Sequence, residues 1–188
     1  KATLAELIGY GPLDFGGCSV TIPHKESLVR LARGAGWEID ASAAMIGAAN
    51  TLVVSREAGR TSARIFNSDA PAAIESIRCA IPDTSIAGRR IGVVGAGGAG
   101  RAIAFEAARA GATPTILNRD RARAEELAAA VRGATGVAAR AESWGAMADT
   151  VCDVWVNCTP VGMKSGPAPD AMAIPEAALI RAAAAGGI

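Results

Sequence analysis

A short apolar run, Ile91-Gly92-Val93-Val94, leads straight into Gly95-Ala96-Gly97-Gly98-Ala99-Gly100, and this junction restricts the fold more than any other feature of the chain. A strand that enters G-x-G-x-x-G must turn tightly at the first glycine. The second glycine leaves bare backbone for close approach of a pyrophosphate, and the third allows the next helix to pack against the strand. The free N–H groups at the start of that helix suit a phosphate. A glycine-rich turn also serves ordinary strand–helix packing, so the motif needs its context: a helix after Ala99, a second strand over Thr113–Leu117, and then Asn118-Arg119. Together these describe a dinucleotide cradle formed by Gly95, Ala96, Gly97, Gly98, Ala99 and Gly100.

The end of that second strand bears on which dinucleotide. An NAD site usually places Asp or Glu here to accept the ribose hydroxyls, and a carboxylate there would repel a 2′-phosphate. This chain instead has Asn118 and Arg119, with Arg121 and Arg123 close behind. A guanidinium grips phosphate as a planar fork, so NADP is favoured. The plainer reading of these arginines is the solvated face of a helix over 121–132. Asp120 caps that helix in this reading, and it brings a negative charge towards the proposed phosphate site.

From Ile91 onward, strands and helices alternate: Ile91–Val94, a helix over Ala99–Ala110, Thr115–Leu117, a helix over Arg121–Arg132, a strand over Val137–Ala139, and Val154–Asn157. Such alternation means a parallel sheet covered by helices, with ligands bound beyond the carboxyl ends of the strands. The first part reads as a small mixed α/β layer. It has a helix ending near Ile8, a strand over Cys18–Ile22, helices over Lys25–Arg33 and Asp40–Met45, and strands over Thr51–Val54 and Ala63–Phe66 joined through Glu57–Arg60. A helix over Ala70–Ala80 leads to the stretch Ile81–Gly88, which reads as the boundary between the two parts. The closing Ala182–Gly187 run is low in complexity and reads as part of an element rather than a functional tail.

Composition narrows the classes further. Hydrophobic residues make up 51% of the 188, with few aromatics, which suits closely packed α/β layers. A formal charge of +1 offers no general field for nucleic acid or an anionic membrane. Cys18, Cys79, Cys152 and Cys158 have no paired spacing, and His24 is the single histidine, so neither a zinc site nor a disulfide framework is expected. The pattern is that of a soluble cytoplasmic chain, with no signal-like start and no apolar run of membrane-spanning length.

A second group of polar residues lies at element boundaries in the first half: Ser19-Val20-Thr21-Ile22-Pro23-His24-Lys25, Asn50-Thr51, and Asn67-Ser68-Asp69. Lys25 opens a helix, where the macrodipole disfavours a cation by roughly 0.3–1 kcal/mol and makes the amine easier to use in proton transfer. Two readings of it stand side by side from local sequence, an acid–base group and a solvated lysine. Asp69 likewise reads either as a helix cap before Pro71 or as a partner in chemistry.

The ordered set of these segments resembles the shikimate dehydrogenase family. Ser19–Lys25 is similar to its S/N-V-T-x-P-x-K, Gly47–Thr51 to G-A-x-N-T, and Asn67–Asp69 to N-T-D. Gly95–Arg101 is similar to G-A-G-G-A-x-R, Asn118-Arg119 to the start of N-R-T, and Asn157–Met163 to N-x-T-x-x-G-M. The resemblance implies an α/β fold with a substrate domain over 1–86, an NADP-binding Rossmann-like domain over 87–188, both partial, and a cleft between them. It implies NADP-linked interconversion of 3-dehydroshikimate and shikimate in aromatic amino-acid biosynthesis. Lys25 and Asp69 would form the acid–base pair, and Ser19, Thr21, Asn50 and Asn67 would bind substrate. Arg119 would hold the 2′-phosphate, while Thr159, Val161 and Met163 would border the nicotinamide. Ser19, Ser68 and Asp120 depart from the commonest family residues. An early Ser-x-Ser motif and a late Gln-containing helix are not in this sequence, so the chain reads as the middle of a longer protein or a piece of a fused pathway enzyme. A quinate/shikimate dehydrogenase using NAD as well, and a non-catalytic nucleotide-sensing module, are the alternatives; a sensor would not need both Lys25 and Asp69.

Overall fold

A computed structural model describes residues 4–10, 13–81, 85–184 and 186. The chain divides into two compact units, Lys1–Asp69 and Ala70–Ile188. The stretch 81–88 that the sequence marks as a boundary is described only in part, since residues 82–84 lie outside the described residues. The division by packing falls earlier, at the first turn of a helix.

The first unit carries α1 (Leu4–Gly9), β1 (Gly17–Ser19), α2 (Lys25–Ala35), β2 (Glu38–Ile39), α3 (Ala41–Ile46), β3 (Thr51–Glu57) and β4 (Arg60–Phe66). Its sheet runs β1-β3-β4-β2, with β2 parallel to β4 and the other pairs antiparallel. Ala58 and Gly59, both with positive φ, form a two-residue connection between β3 and β4, a turn whose twist matches that of the strands. Alternation then decides the faces: Leu52 and Val54 pack with Ala63 and Ile65 onto Leu28, Val29 and Ala32 of α2, while Val53 and Ser55 stay exposed. The strand expected over Cys18–Ile22 is shorter than predicted. Its ladder ends at Ser19 opposite Thr51, after which Val20 donates to the Asn50 carbonyl and His24 to that of Thr21, so the chain turns into α2.

The second unit takes up α4 (Asp69–Ala80), which begins on the last residue of the first. It continues with β5 (Arg90–Val94), α5 (Gly98–Arg109), β6 (Thr113–Asn118), α6 (Arg121–Thr135), β7 (Arg140–Ser143), β8 (Val154–Asn157) and α7 (Glu176–Ala184). All four strands are parallel in the order β7-β6-β5-β8. That is third, second, first, fourth, the order of a Rossmann half with its switch point beside β5. Ile91, Val93 and Val94 are fully buried, as a strand covered on both faces requires. Gly92 has no side chain because the Trp155 ring lies there; a Cβ would come within 2.5 Å of it. Pro114 fits within β6 because the side its missing N–H would face meets β7 only from Thr115 onward.

One expectation is corrected here. The third strand of this unit is 140–143 rather than Val137–Ala139, because α6 runs on to Thr135 and ends at Gly136 in a left-handed conformation. Val137–Ala139 then serves as a connection, tied by Val137 N–H to Thr135 Oγ1 and by the Arg132 guanidinium to the Ala139 carbonyl. The closing run is helical as far as Ala184, and Ala178 and Ala182 are buried against Val94, Leu117 and Trp155; residues 185, 187 and 188 lie outside the described residues.

Candidate functional site

In the first unit, polar residues far apart in sequence meet at the ends of α2, β3 and β4. Lys25 is the first residue of α2, and its Nζ lies 2.5 Å from Asp69 Oδ2, with the two side chains 14% and 39% exposed. Asn67, only 5% exposed, keeps Asp69 in position: its Oδ1 accepts the Asp69 N–H at 3.1 Å while its Nδ2 donates to the Ala48 carbonyl. The Lys25 carbonyl accepts from Ala49 N–H, so the same short loop supports both partners of the ion pair. Asn50 accepts from Ser68 N–H and from Thr51 Oγ1, and its Nδ2 donates to Ser68 Oγ at 3.0 Å.

Lys25, Asp69, Asn50 and Asn67 are thus brought together, and Val20 N–H on the Asn50 carbonyl ties the Ser19–Thr21 run to them. Ser19 and Thr21 stand exposed beside this group. Ser68 is a member the sequence reading did not assign; its hydroxyl and N–H both engage Asn50, a contact visible only once β3 and β4 are paired. Chemically the group offers an amine and a carboxylate in direct contact, next to the half-buried Asn50 amide and the exposed hydroxyls of Ser19, Thr21 and Ser68. That set can bind a polyhydroxylated molecule and exchange a proton with it.

In the second unit, the glycine loop sits between the carboxyl ends of β6 and β8. Gly95 N–H donates to the Leu117 carbonyl, and Cys158 N–H donates to that of Val94. Gly95 has φ +110°, and a Cβ there would press on Thr159 and the Cys158 carbonyl at 3.0–3.1 Å. At Gly100 a Cβ would overlap the Gly95 carbonyl oxygen. Packing therefore accounts for two of the three glycines. It does not account for Gly97, which is exposed, has an ordinary φ of −83°, and would meet nothing within 4 Å if given a side chain. Bare backbone at that point, beside the N–H groups that open α5, is what close approach by a phosphate calls for. Ala96 is buried beneath the loop, and Gly98 and Ala99 form the first turn.

At the end of β6, Asn118 Nδ2 donates to the Asp120 carbonyl, and Asp120 caps α6 by accepting from Ala122 N–H at 3.0 Å and Arg123 N–H at 3.4 Å. Arg119, Arg121 and Arg123 are exposed. At the end of β8, Asn157 shapes the following loop: its Oδ1 accepts from Thr159 N–H and Oγ1, and its Nδ2 donates to the Val161 carbonyl. Thr159, Val161 and Met163 line an open pocket of about 510 Å³ together with Met172 and Leu179. Asn157 had no assigned role in the sequence reading, although N-x-T is itself the signal of such a side-chain turn. Among the described residues no group of three or more His, Cys, Asp or Glu side chains is gathered as a metal site, and no helix is long and apolar enough to cross a membrane.

No family model matches the chain. It is 39% identical over 158 residues to the NADP(+) shikimate dehydrogenase of Methanocella arvoryzae, an alignment that takes in 84% of this chain and 54% of that protein. Among solved structures it resembles shikimate 5-dehydrogenase from Thermus thermophilus in complex with NADP(H) and shikimate, with TM-score 0.66 and 32% identity over 93% of this chain and 59% of the other. Quinate dehydrogenase from Corynebacterium glutamicum in complex with NAD aligns with TM-score 0.74 and 26% identity over 92% of this chain and 59% of the other. The chain spans about half the length of the curated relatives it matches. Across most of its residues it shares sequence and an α/β, Rossmann-like fold with shikimate dehydrogenases, and the resemblance carried by the motifs is borne out.

Proposed function

We propose that this chain carries the proton-transfer and nucleotide-binding parts of an NADP-dependent shikimate dehydrogenase, a cytoplasmic enzyme that interconverts 3-dehydroshikimate and shikimate. In this reading residues 1–86 handle the substrate and residues 87–188 the nucleotide. The observation that carries it is the Lys25–Asp69 pair, set at 2.5 Å by Asn67 within a group of substrate-sized polar partners.

The glycine loop fits a dinucleotide because Gly97 is bare where packing does not require it. Gly95 through Gly100 would hold the pyrophosphate, Asn118 and Arg119 the adenosine end, and Thr159, Val161 and Met163 the nicotinamide end. When bound, NADP⁺ accepts a hydride and NADPH donates one. In the oxidising direction neutral Lys25 Nζ would take the O–H proton of the substrate alcohol as the alcohol becomes a ketone. In the reducing direction the Lys25 ammonium returns the proton to the ketone oxygen. Asp69 accepts a hydrogen bond from the amine and so aims it. Thr21, Ser19 and Asn50 would hydrogen-bond the ring hydroxyls and orient the reacting carbon, while Asn67 keeps Asp69 in register.

Shikimate-dependent reduction of NADP⁺, measured beside equilibrium binding of shikimate and of NADP⁺, tests the reading. Turnover with shikimate supports it. Nucleotide binding with neither turnover nor shikimate binding would replace it with the nucleotide-sensing module.

A further inference from the structure

We propose that Ser68 is a positioning residue that fixes the Asn50 amide as a hydrogen-bond donor towards the substrate, so that this corner of the site recognises an oxygen acceptor. The inference rests on the substrate reading above and deepens it. Asn50 Oδ1 accepts from the Ser68 N–H at 2.9 Å and from Thr51 Oγ1 at 2.9 Å, with the Ser68 hydroxyl a longer third contact at 3.3 Å. A main-chain N–H only donates, so it decides which end of the amide meets it; an amide turned over would set two donors against each other. The oxygen has two lone pairs, and the two contacts at 2.9 Å fill them. The Asn50 Nδ2 gives one hydrogen to Ser68 Oγ at 3.0 Å and keeps a second. Asn50 therefore has an N–H to offer a ligand and no acceptor.

The same turn sets the acid–base pair. Consecutive N–H groups are used in order: that of Ser68 holds Asn50 Oδ1, and that of Asp69 holds Asn67 Oδ1. Asn50 is tied through its main chain as well, its N–H donating to the Phe66 carbonyl and its carbonyl accepting from Val20. A substrate oxygen held by Asn50 is thus placed relative to the Lys25 amine by backbone geometry, the kind of positioning on which a proton transfer depends. The hydroxyl of Ser68 is the part of this arrangement that an alanine would not supply. Without it the Nδ2 end of the amide loses its partner within the site and is freer to turn about the Cβ–Cγ bond, a torsion with broad wells.

Three variants test the arrangement, with two independent readouts: the Kd for shikimate by titration calorimetry, and the order of the Asn50 side-chain amide by ¹⁵N relaxation in the free protein. Ser68→Ala is expected to raise the Kd for shikimate by roughly three- to tenfold, the size of one neutral hydrogen bond, and to lower the order of the Asn50 amide. The Kd for NADP⁺ should stay within about twofold, and the thermal midpoint should hold, because Ser68 is exposed. Ser68→Thr keeps a hydroxyl and should restore both readouts. Asn50→Asp leaves an oxygen for the Ser68 and Thr51 donors but replaces the remaining N–H with an acceptor, and should raise the Kd for shikimate by more than about tenfold. An Asn50 amide equally ordered in wild type and Ser68→Ala, unchanged shikimate affinity in Ser68→Ala, or unchanged affinity in Asn50→Asp would each overturn the proposal. A wild-type chain that binds no shikimate would instead overturn the substrate reading, while the relaxation data would still decide whether Ser68 fixes the amide.

Discussion

Gly100 lies so close to the carbonyl oxygen of Gly95 that a Cβ on Gly100 would overlap it, whereas a Cβ on Gly97, three residues earlier, would meet nothing within 4 Å. The two positions of one motif are therefore glycine for different reasons, and they should fail differently. Gly100→Ala must push α5 away from the turn and is expected to lower stability by roughly 1–3 kcal/mol, the usual range for overpacking. Gly97→Ala should leave the unfolding midpoint near that of the wild type and weaken dinucleotide binding. Thermal unfolding and nucleotide titration of both variants check this; a Gly97→Ala protein that unfolds early but binds normally would assign that glycine to packing.

Lys25→Ala is expected to reduce shikimate oxidation by roughly 10²–10⁴-fold with NADP⁺ affinity unchanged, the usual weight of a positioned acid–base group. Asn67→Ala should act through Asp69 and the loop at Ala48, so its signature is lower stability, by roughly 1–3 kcal/mol for buried groups left without partners, together with reduced turnover. Full activity in Lys25→Ala would remove the lysine from the chemistry.

Arg90 and Asp153 clamp the amino ends of β5 and β8. The Arg90 guanidinium donates to both carboxylate oxygens of Asp153, at 2.5 and 3.2 Å, and the Arg90 N–H adds a third bond at 2.8 Å. The side-chain hydrogen bond from Arg90 holds the Asp153 carboxyl below its usual range, against an opposing contribution from burial. Because the folded value lies below the unfolded one, the clamp contributes fully above roughly pH 4 and is lost as the pH falls through the folded value. Asp153→Asn should therefore be less stable than the wild type at neutral pH, with the difference closing in acid. Urea unfolding at both pH values measures it; a constant difference would mean that the charge contributes nothing.

Cys152 is buried, and burial pushes its thiol up to about 12, with the charge of Asp153 adding and those of Arg90 and the Thr115 hydrogen bond subtracting. Cys79 is exposed on α4. Alkylation at neutral pH should modify Cys79 in the native protein and reach Cys152 only after unfolding, since the thiolate is the reactive form. Peptide mass spectrometry of briefly treated samples decides between them, and early labelling of Cys152 would show local opening under α7.

Short-range features were legible in the sequence because their physics is local. The glycine loop, the Asp120 cap, the hairpin turn at Ala58-Gly59 and the apolar run of β5 each depend on residues within a few positions of one another. The strand placed at 137–139 failed for the opposite reason: α6 and β7 are both compatible with that segment, and pairing with β6 selects 140–143. Strand β2, two residues long, exists only because Glu38 and Ile39 lie parallel to Arg64 and Ile65. At the candidate site, sequence supplied the residue types and their order, but Lys25 and Asp69 are 44 positions apart. What brought them together was the packing of α2 and the β3–β4 hairpin, and that same packing buried Asn67 and turned Ser68 onto Asn50. Local sequence thus determined which groups this protein carries and how each turn holds them; only the tertiary structure decided which groups meet, because contacts across dozens of residues depend on the burial and pairing of whole elements.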